Sequence, residues 1–170
     1  MPTQSTVLTE QHDIPLAAHI HSPEHTGATI ETRLWIEEHE WLYALLKSEQ
    51  NVAPTFRLPD LISACVSLVF MEGNAVERIF EFLGTTLVLR MPRHPHRRES
   101  MWLPQYELLV ALQQSPSNMH PHPRFQLDQF TTACVALSRQ TDSTGMKVLR
   151  QARVNLAERI SRRNEASRSS

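Results

Sequence analysis

At 170 residues, with 41% apolar and 21% charged side chains, the chain has ordinary globular composition and room for one or two small cores, which excludes collagen-like and fully disordered classes. No apolar run approaches the roughly twenty residues of a bilayer span, and no basic segment leads into an apolar one at the start, so a cytoplasmic protein without a membrane partner is expected. The net charge of -1 hides a division: residues 1–60 carry nine acids against Arg33, Lys47 and Arg57, a net -6, which leaves +5 for the rest, almost all of it arginine.

In chain order, residues 1–28 show no sustained period and read as a mobile N-terminal arm. A helix is expected from Glu31 to about Gln50, with Leu34, Trp35, Trp41, Leu42, Leu45 and Leu46 on one stripe and Glu37, Glu38 and Glu40 opposite. The segment Thr55–Leu58 alternates like a short strand. Pro59 then suits the first turn of a helix running to about Met71, apolar nearly all round and therefore buried. Asn74 reads as an N-cap, and Val76, Ile79, Phe80, Leu83 and Leu87 mark an amphipathic helix from Ala75 to about Leu89. The proline-broken "RMPRHPHRRES" is a basic linker, assigned to residues 93–100. Beyond it come helix 103–115, a proline-rich loop, a second alternating segment Arg124–Leu127, and a buried helix from Asp128 to about Arg139. Capping side chains in "TDST" lead into a last helix from Gly145 to about Arg162, and 164–170 reads as a disordered tail.

The two halves repeat each other. "FRLPDLISACVSL" from Phe56 returns as "FQLDQFTTACVAL" from Phe125, and "WIEEHEWLYALLKSEQN" from Trp35 returns as "WLPQYELLVALQQSPSN" from Trp102. Thirteen of thirty columns agree, where ordinary usage gives roughly two. Shared helical periodicity alone does not align Trp, Ser and Asn. The expected fold is therefore mainly α, an internal tandem duplication of a three-helix unit in which each copy carries a short strand-like FxL segment, with repeats at 29–92 and 101–163. The cysteines Cys65 and Cys134 occupy equivalent places in apolar stretches, where a thiol acts as a small hydrophobe.

The order of a short alternating strand, a helix, a capped turn and a second helix, in "TFRLPDLISACVSLVFMEGNAVERI" and "RFQLDQFTTACVALSRQTDSTGMKVL", resembles the ribbon-helix-helix DNA-binding family. The resemblance implies a pseudodimer in one chain, with an antiparallel ribbon whose outward side chains read bases in the major groove. It places Arg57, Arg124 and Gln126 as base contacts, Arg57 and Gln126 sharing one column, since arginine pairs with guanine and glutamine with adenine. Arg93, Arg97, Arg98, Lys147 and Arg150 are then the backbone contacts. The extra Trp-led helix before each motif and the charge of Asp128 depart from the family pattern. A tandem helix-turn-helix, with "TDSTGMKVLRQAR" as recognition helix, is the other nucleic-acid geometry the pattern allows.

Three His-x-His pairs, His19/His21, His94/His96 and His120/His122, lack cysteine or carboxylate partners nearby and read as solvated loop histidines, so no metal and no cofactor is expected. No nucleophile elbow, triad spacing or glycine-rich phosphate loop is present among only four glycines, so no enzyme is expected. The expected function is that of a small bacterial DNA-binding regulator or nucleic-acid accessory factor gripping its partner through the arginine-rich second half. The competing class is a helical adaptor, binding another protein or a second copy through the acidic Trp-bearing N-terminal helix.

Overall fold

The computed structural model describes residues 27–90, 96–119 and 124–170. Most of the described chain is helical, in the order β1 (Thr29–Leu34), α1 (Ile36–Leu46), α2 (Leu58–Phe70), α3 (Ala75–Thr85), a 3-10 turn (Leu87–Leu89), β2 (Arg97–Trp102), α4 (Leu103–Gln113), α5 (Leu127–Thr141) and α6 (Met146–Arg168). The order of one strand and three helices thus occurs twice. The arm up to residue 26, with His19 and His21, and the residues Arg93, His94, His120 and His122 lie outside the described residues.

The strands are not where the sequence pattern puts them. β1 and β2 pair antiparallel as a two-stranded ribbon, with Thr29 opposite Trp102, Thr32 opposite Glu99 and Leu34 opposite Arg97. β1 takes up the start of the expected first helix, which begins instead at Ile36, and β2 takes up Arg97–Ser100 of the expected linker. Strand pairing sixty-odd residues apart outweighs the weak helical stripe that Leu34 and Trp35 suggest, because both strands then bury one face. Leu34 and Met101 are fully buried, while Arg33 and Arg98 are exposed.

The FxL segments are extended but are not strands. The carboxamide of Asn51 does the work of a partner strand: its Oδ1 accepts from the Phe56 N–H at 2.8 Å and its Nδ2 donates to the Phe56 carbonyl at 2.9 Å. Asn118 does the same for Phe125, at 2.9 and 3.0 Å. A third bond from each Asn closes on the end of the preceding helix, at the carbonyls of Leu46 and Gln113. Phe56 and Phe125 are thereby pressed into the core. The alternation read as a strand is a core plug between two helices. Asn51→Ala and Asn118→Ala should each lower stability by about 1–3 kcal/mol, since buried backbone groups lose their only partners. Urea unfolding of the two variants should show similar losses in midpoint.

α2 and α5 form the centre. Both are buried along most of their length, as the all-round apolar pattern of α2 predicts for that helix, and they pack against each other. The ribbon lies across them, held by paired bonds from Trp102 N–H to Ser63 Oγ at 2.9 Å and from Trp35 N–H to Thr132 Oγ1 at 3.1 Å. At the middle of the ribbon Thr32 shares a 2.9 Å bond with the Thr131 hydroxyl, which itself donates to the Leu127 carbonyl. Cys65 and Cys134 are fully buried free thiols, and burial pushes the Cys65 thiol up to about 12, so it packs as an apolar group. Asp142 starts α6, accepting from the Lys147 N–H at 2.7 Å and from Thr144. α6 runs on to Arg168 through the stretch expected to be a tail. Its Arg, Glu and Ala content favours helix even where nothing is buried.

Candidate functional site

Side chains alternate along a strand, so a ribbon with one face on the core turns the other to solvent. Here the outward set is Thr29, Glu31 and Arg33 from β1 with Arg98 and Ser100 from β2. Arg33 and Arg98 stand directly opposite each other, both exposed. Like charges across a strand pair repel, by about 0.2–1 kcal/mol relative to neutral partners. Arg98 Nε lies 3.8 Å from Glu31 Oε1, a loose pair between largely exposed groups that offsets little of the repulsion. Arg33 has no ion pair among the described residues. The outward face of the ribbon thus presents, one pair from its Leu34/Arg97 end, two arginines with unspent donors.

Each end of the ribbon is closed by a tryptophan under an arginine. At the Thr29/Trp102 end, the Arg159 guanidinium lies 4.0 Å from the Trp102 ring. Asp60, 3% exposed, accepts there from Trp102 Nε1 at 2.7 Å, Arg159 Nη2 at 2.9 Å and the Arg57 N–H at 3.0 Å. At the Leu34/Arg97 end, Arg90 lies 5.2 Å from the Trp35 ring and forks onto Glu38 with two bonds of 2.8 Å. Those bonds raise the Arg90 pKa against the effect of its partial burial. The Trp35 ring also stacks on His96, which pairs with Asp128 at 3.1 Å. A second histidine, His39, bonds Glu99 of β2 at 2.8 Å.

The residues expected to read bases fall beside the ribbon. Arg57 and Gln126 share a structural position as they share a column, but as the N-caps of α2 and α5. Arg57 is half-buried, and its Nε and Nη2 have no protein partner. Gln126 is exposed and accepts from Gln113 Nε2 at 3.0 Å. Arg124 is exposed with its guanidinium 4.9 Å from the Phe125 ring. Gln126 does border the ribbon: with Glu31, Arg33, His96 and Asp128 it lines a polar cleft of about 480 Å³.

Of the expected backbone contacts, Arg98 sits on the outward face and Arg97 at the ribbon's end, both exposed. Lys147 and Arg150 are exposed on the first turns of α6. They lie about 14–18 Å along the helix axis from Arg159, at 1.5 Å per residue, and so stand away from the ribbon. Arg33, Glu31 and Ser100 are the residues that sequence reading passed over. The alternation in "TIETRL" before Trp35 was the available signal for β1, whereas "RRESMW" up to Trp102 does not alternate.

Among the described residues no group of three or more His, Cys, Asp or Glu side chains is placed to hold a metal ion, and no helix is long and apolar enough to cross a membrane. What the site can do chemically is hold an anion or a hydrogen-bonding edge on a surface that offers arginine forks and no nucleophile. No protein-family model, curated protein or solved structure matches the chain, so the reading of the site rests on the ribbon's own residues.

Proposed function

We propose that the protein binds duplex DNA through the outward face of the β1/β2 ribbon, as a single-chain pseudodimer of ribbon-helix-helix type. The observation that carries the reading is the in-register pair Arg33 and Arg98, exposed on the outward face of a two-stranded ribbon beside its middle pair Thr32 and Glu99. A two-stranded ribbon fits the major groove, about 12 Å wide, and arginine forks there match the O6 and N7 atoms of guanine. In this reading β1–α1–α2 and β2–α4–α5 are the two ribbon-helix-helix units. The Trp-led helices α1 and α4 are the first helices of those units rather than additions to them. α3 and α6 are then the appended elements.

An internal doubling supports the pseudodimer. Trp35 and Trp102, Ser48 and Ser115, and Asn51 and Asn118 are sixty-seven residues apart, and each pair makes the same kind of bond. Thr32 and Glu99, also sixty-seven apart, face each other in the ribbon, which is where a two-fold axis relating the halves would pass. The N-termini of α2 and α5, with Arg57 and Gln126, then flank the ribbon as places for backbone phosphates.

The adaptor alternative has less behind it. Trp35 is 8% exposed and Glu38 2% exposed, so neither is offered to a partner, and Glu37 and Glu38 are engaged by Arg90. The deciding experiment is fluorescence anisotropy on a labelled random-sequence duplex across a salt series. Affinity should fall linearly in a log–log plot with salt, with a slope near -0.9 per neutralised phosphate. Absence of salt-dependent binding would remove the DNA reading and leave the adaptor.

A further inference from the structure

α6 outlasts the body it packs on. Asn155 Nδ2 donates to Ser67 Oγ at 3.1 Å, and four residues later Arg159 reaches Asp60, so α6 runs antiparallel to α2 and arrives at the N-terminus of α2. Arg159 also marks the Thr29/Trp102 end of the ribbon. From Ile160 onward every residue of α6 is exposed. The nine residues to Arg168 extend about 13 Å further, at 1.5 Å per residue. They hold Arg162, Arg163 and Arg168 against Glu165 alone. No burial holds this extension, and Ser167, Ser169 and Ser170 return bonds to carbonyls four residues back.

Among the described residues the other end of the ribbon has no counterpart. Arg90, sixty-nine residues before Arg159, covers Trp35 as Arg159 covers Trp102. There α3 has already ended at Thr85, the 3-10 turn ends at Leu89, and β2 begins at Arg97. Among the described residues, therefore, a cationic helix leaves the body at one end of the ribbon only.

We infer that residues 160–168 of α6 form a second duplex contact, engaging phosphates beyond the Thr29/Trp102 end of the ribbon and giving the complex a direction that its near-two-fold core lacks. The inference rests on the DNA reading above and adds one flank to its footprint. The partner is a polyanion because Arg162 and Arg168 are exposed guanidinium groups without an ion pair among the described residues, on a stretch with Glu165 as its single acid. Arg168 in the last turn also complements the helix dipole. Arg162, two turns earlier, gains nothing from the dipole, whose effect fades within one turn.

The test uses the full chain and a duplex it selects from a randomised library, trimmed from one side or the other by about one helical turn, 10 base pairs. Trimming one flank should weaken binding about tenfold, and trimming the other less than twofold. The paired variant Arg162→Gln, Arg168→Gln should erase that difference and reduce the salt slope by about 2, one unit per lost phosphate contact. Arg162→Glu with Arg168→Glu should weaken binding further on the long duplex alone. Equal effects of the two trims, or an unchanged slope in the variant, overturn the inference while leaving the ribbon reading in place. A variant that binds DNA as before but loses self-association in sedimentation assigns the helix to a second copy and overturns it too. No selection of any duplex overturns both.

Discussion

Replacing Asp60 with alanine should destabilise the protein by about 3–5 kcal/mol, the cost of removing one member of a buried ion pair. Against a total of about 5–15 kcal/mol for a typical domain, that brings the chain close to unfolding at room temperature. Its two oxygens take an indole N–H, a guanidinium and the first free N–H of α2. Arg159 is 11% exposed, and burial already lowers its pKa against the pull of Asp60. Without the carboxylate it becomes a buried cation with no counter-charge. Asp60→Asn keeps one acceptor oxygen, enough for the indole, but turns an NH2 toward the Arg57 N–H, and should cost less than Asp60→Ala. Asp60→Ala combined with Arg159→Met should recover part of the loss, because the stranded charge is gone. Chemical denaturation decides it: a loss under about 1 kcal/mol for Asp60→Ala would show that the network does not tie the ribbon to α2.

Arg33→Ala and Arg98→Ala should move stability and binding in opposite directions. Removing either member of the facing pair relieves repulsion and should raise stability by about 0.2–1 kcal/mol. If the ribbon enters the major groove, each change should also cost about 1–3 kcal/mol of discrimination between a selected duplex and a scrambled one. Gains in unfolding midpoint with losses in discrimination would mark a position where local stability is given up for contact with a ligand. Arg57→Ala and Gln126→Ala should instead lower affinity on both duplexes alike, because as helix caps they face phosphates in this reading. Discrimination that survives in both ribbon variants would place base contacts elsewhere.

The helices were legible because their signals are local. Apolar spacing located α2, α3 and α5, Pro59 marked the start of α2, and "TDST" marked the entry to α6. The FxL segments misled, because a phenylalanine and a leucine entering the core give the same two-residue alternation whether the backbone pairs with a strand or with an asparagine carboxamide. β1 was hidden for a related reason. Leu34 and Trp35 continue the stripe of α1 in sequence, and nothing local says that the turn out of extended backbone comes at Trp35. The tail misled in the opposite way, since polar composition reads as disorder while Arg, Glu and Ala keep helical propensity.

By itself, the sequence determined that the chain is mainly helical and that the helix after Pro59 is buried, because those properties are written in neighbours three or four positions apart. Only the tertiary structure decided that residues 29–34 and 97–102 are strands and that Arg33 meets Arg98 across them. Pairing register depends on chain segments nearly seventy residues apart finding a shared core, and a free energy gained between distant segments does not name the partner in either one.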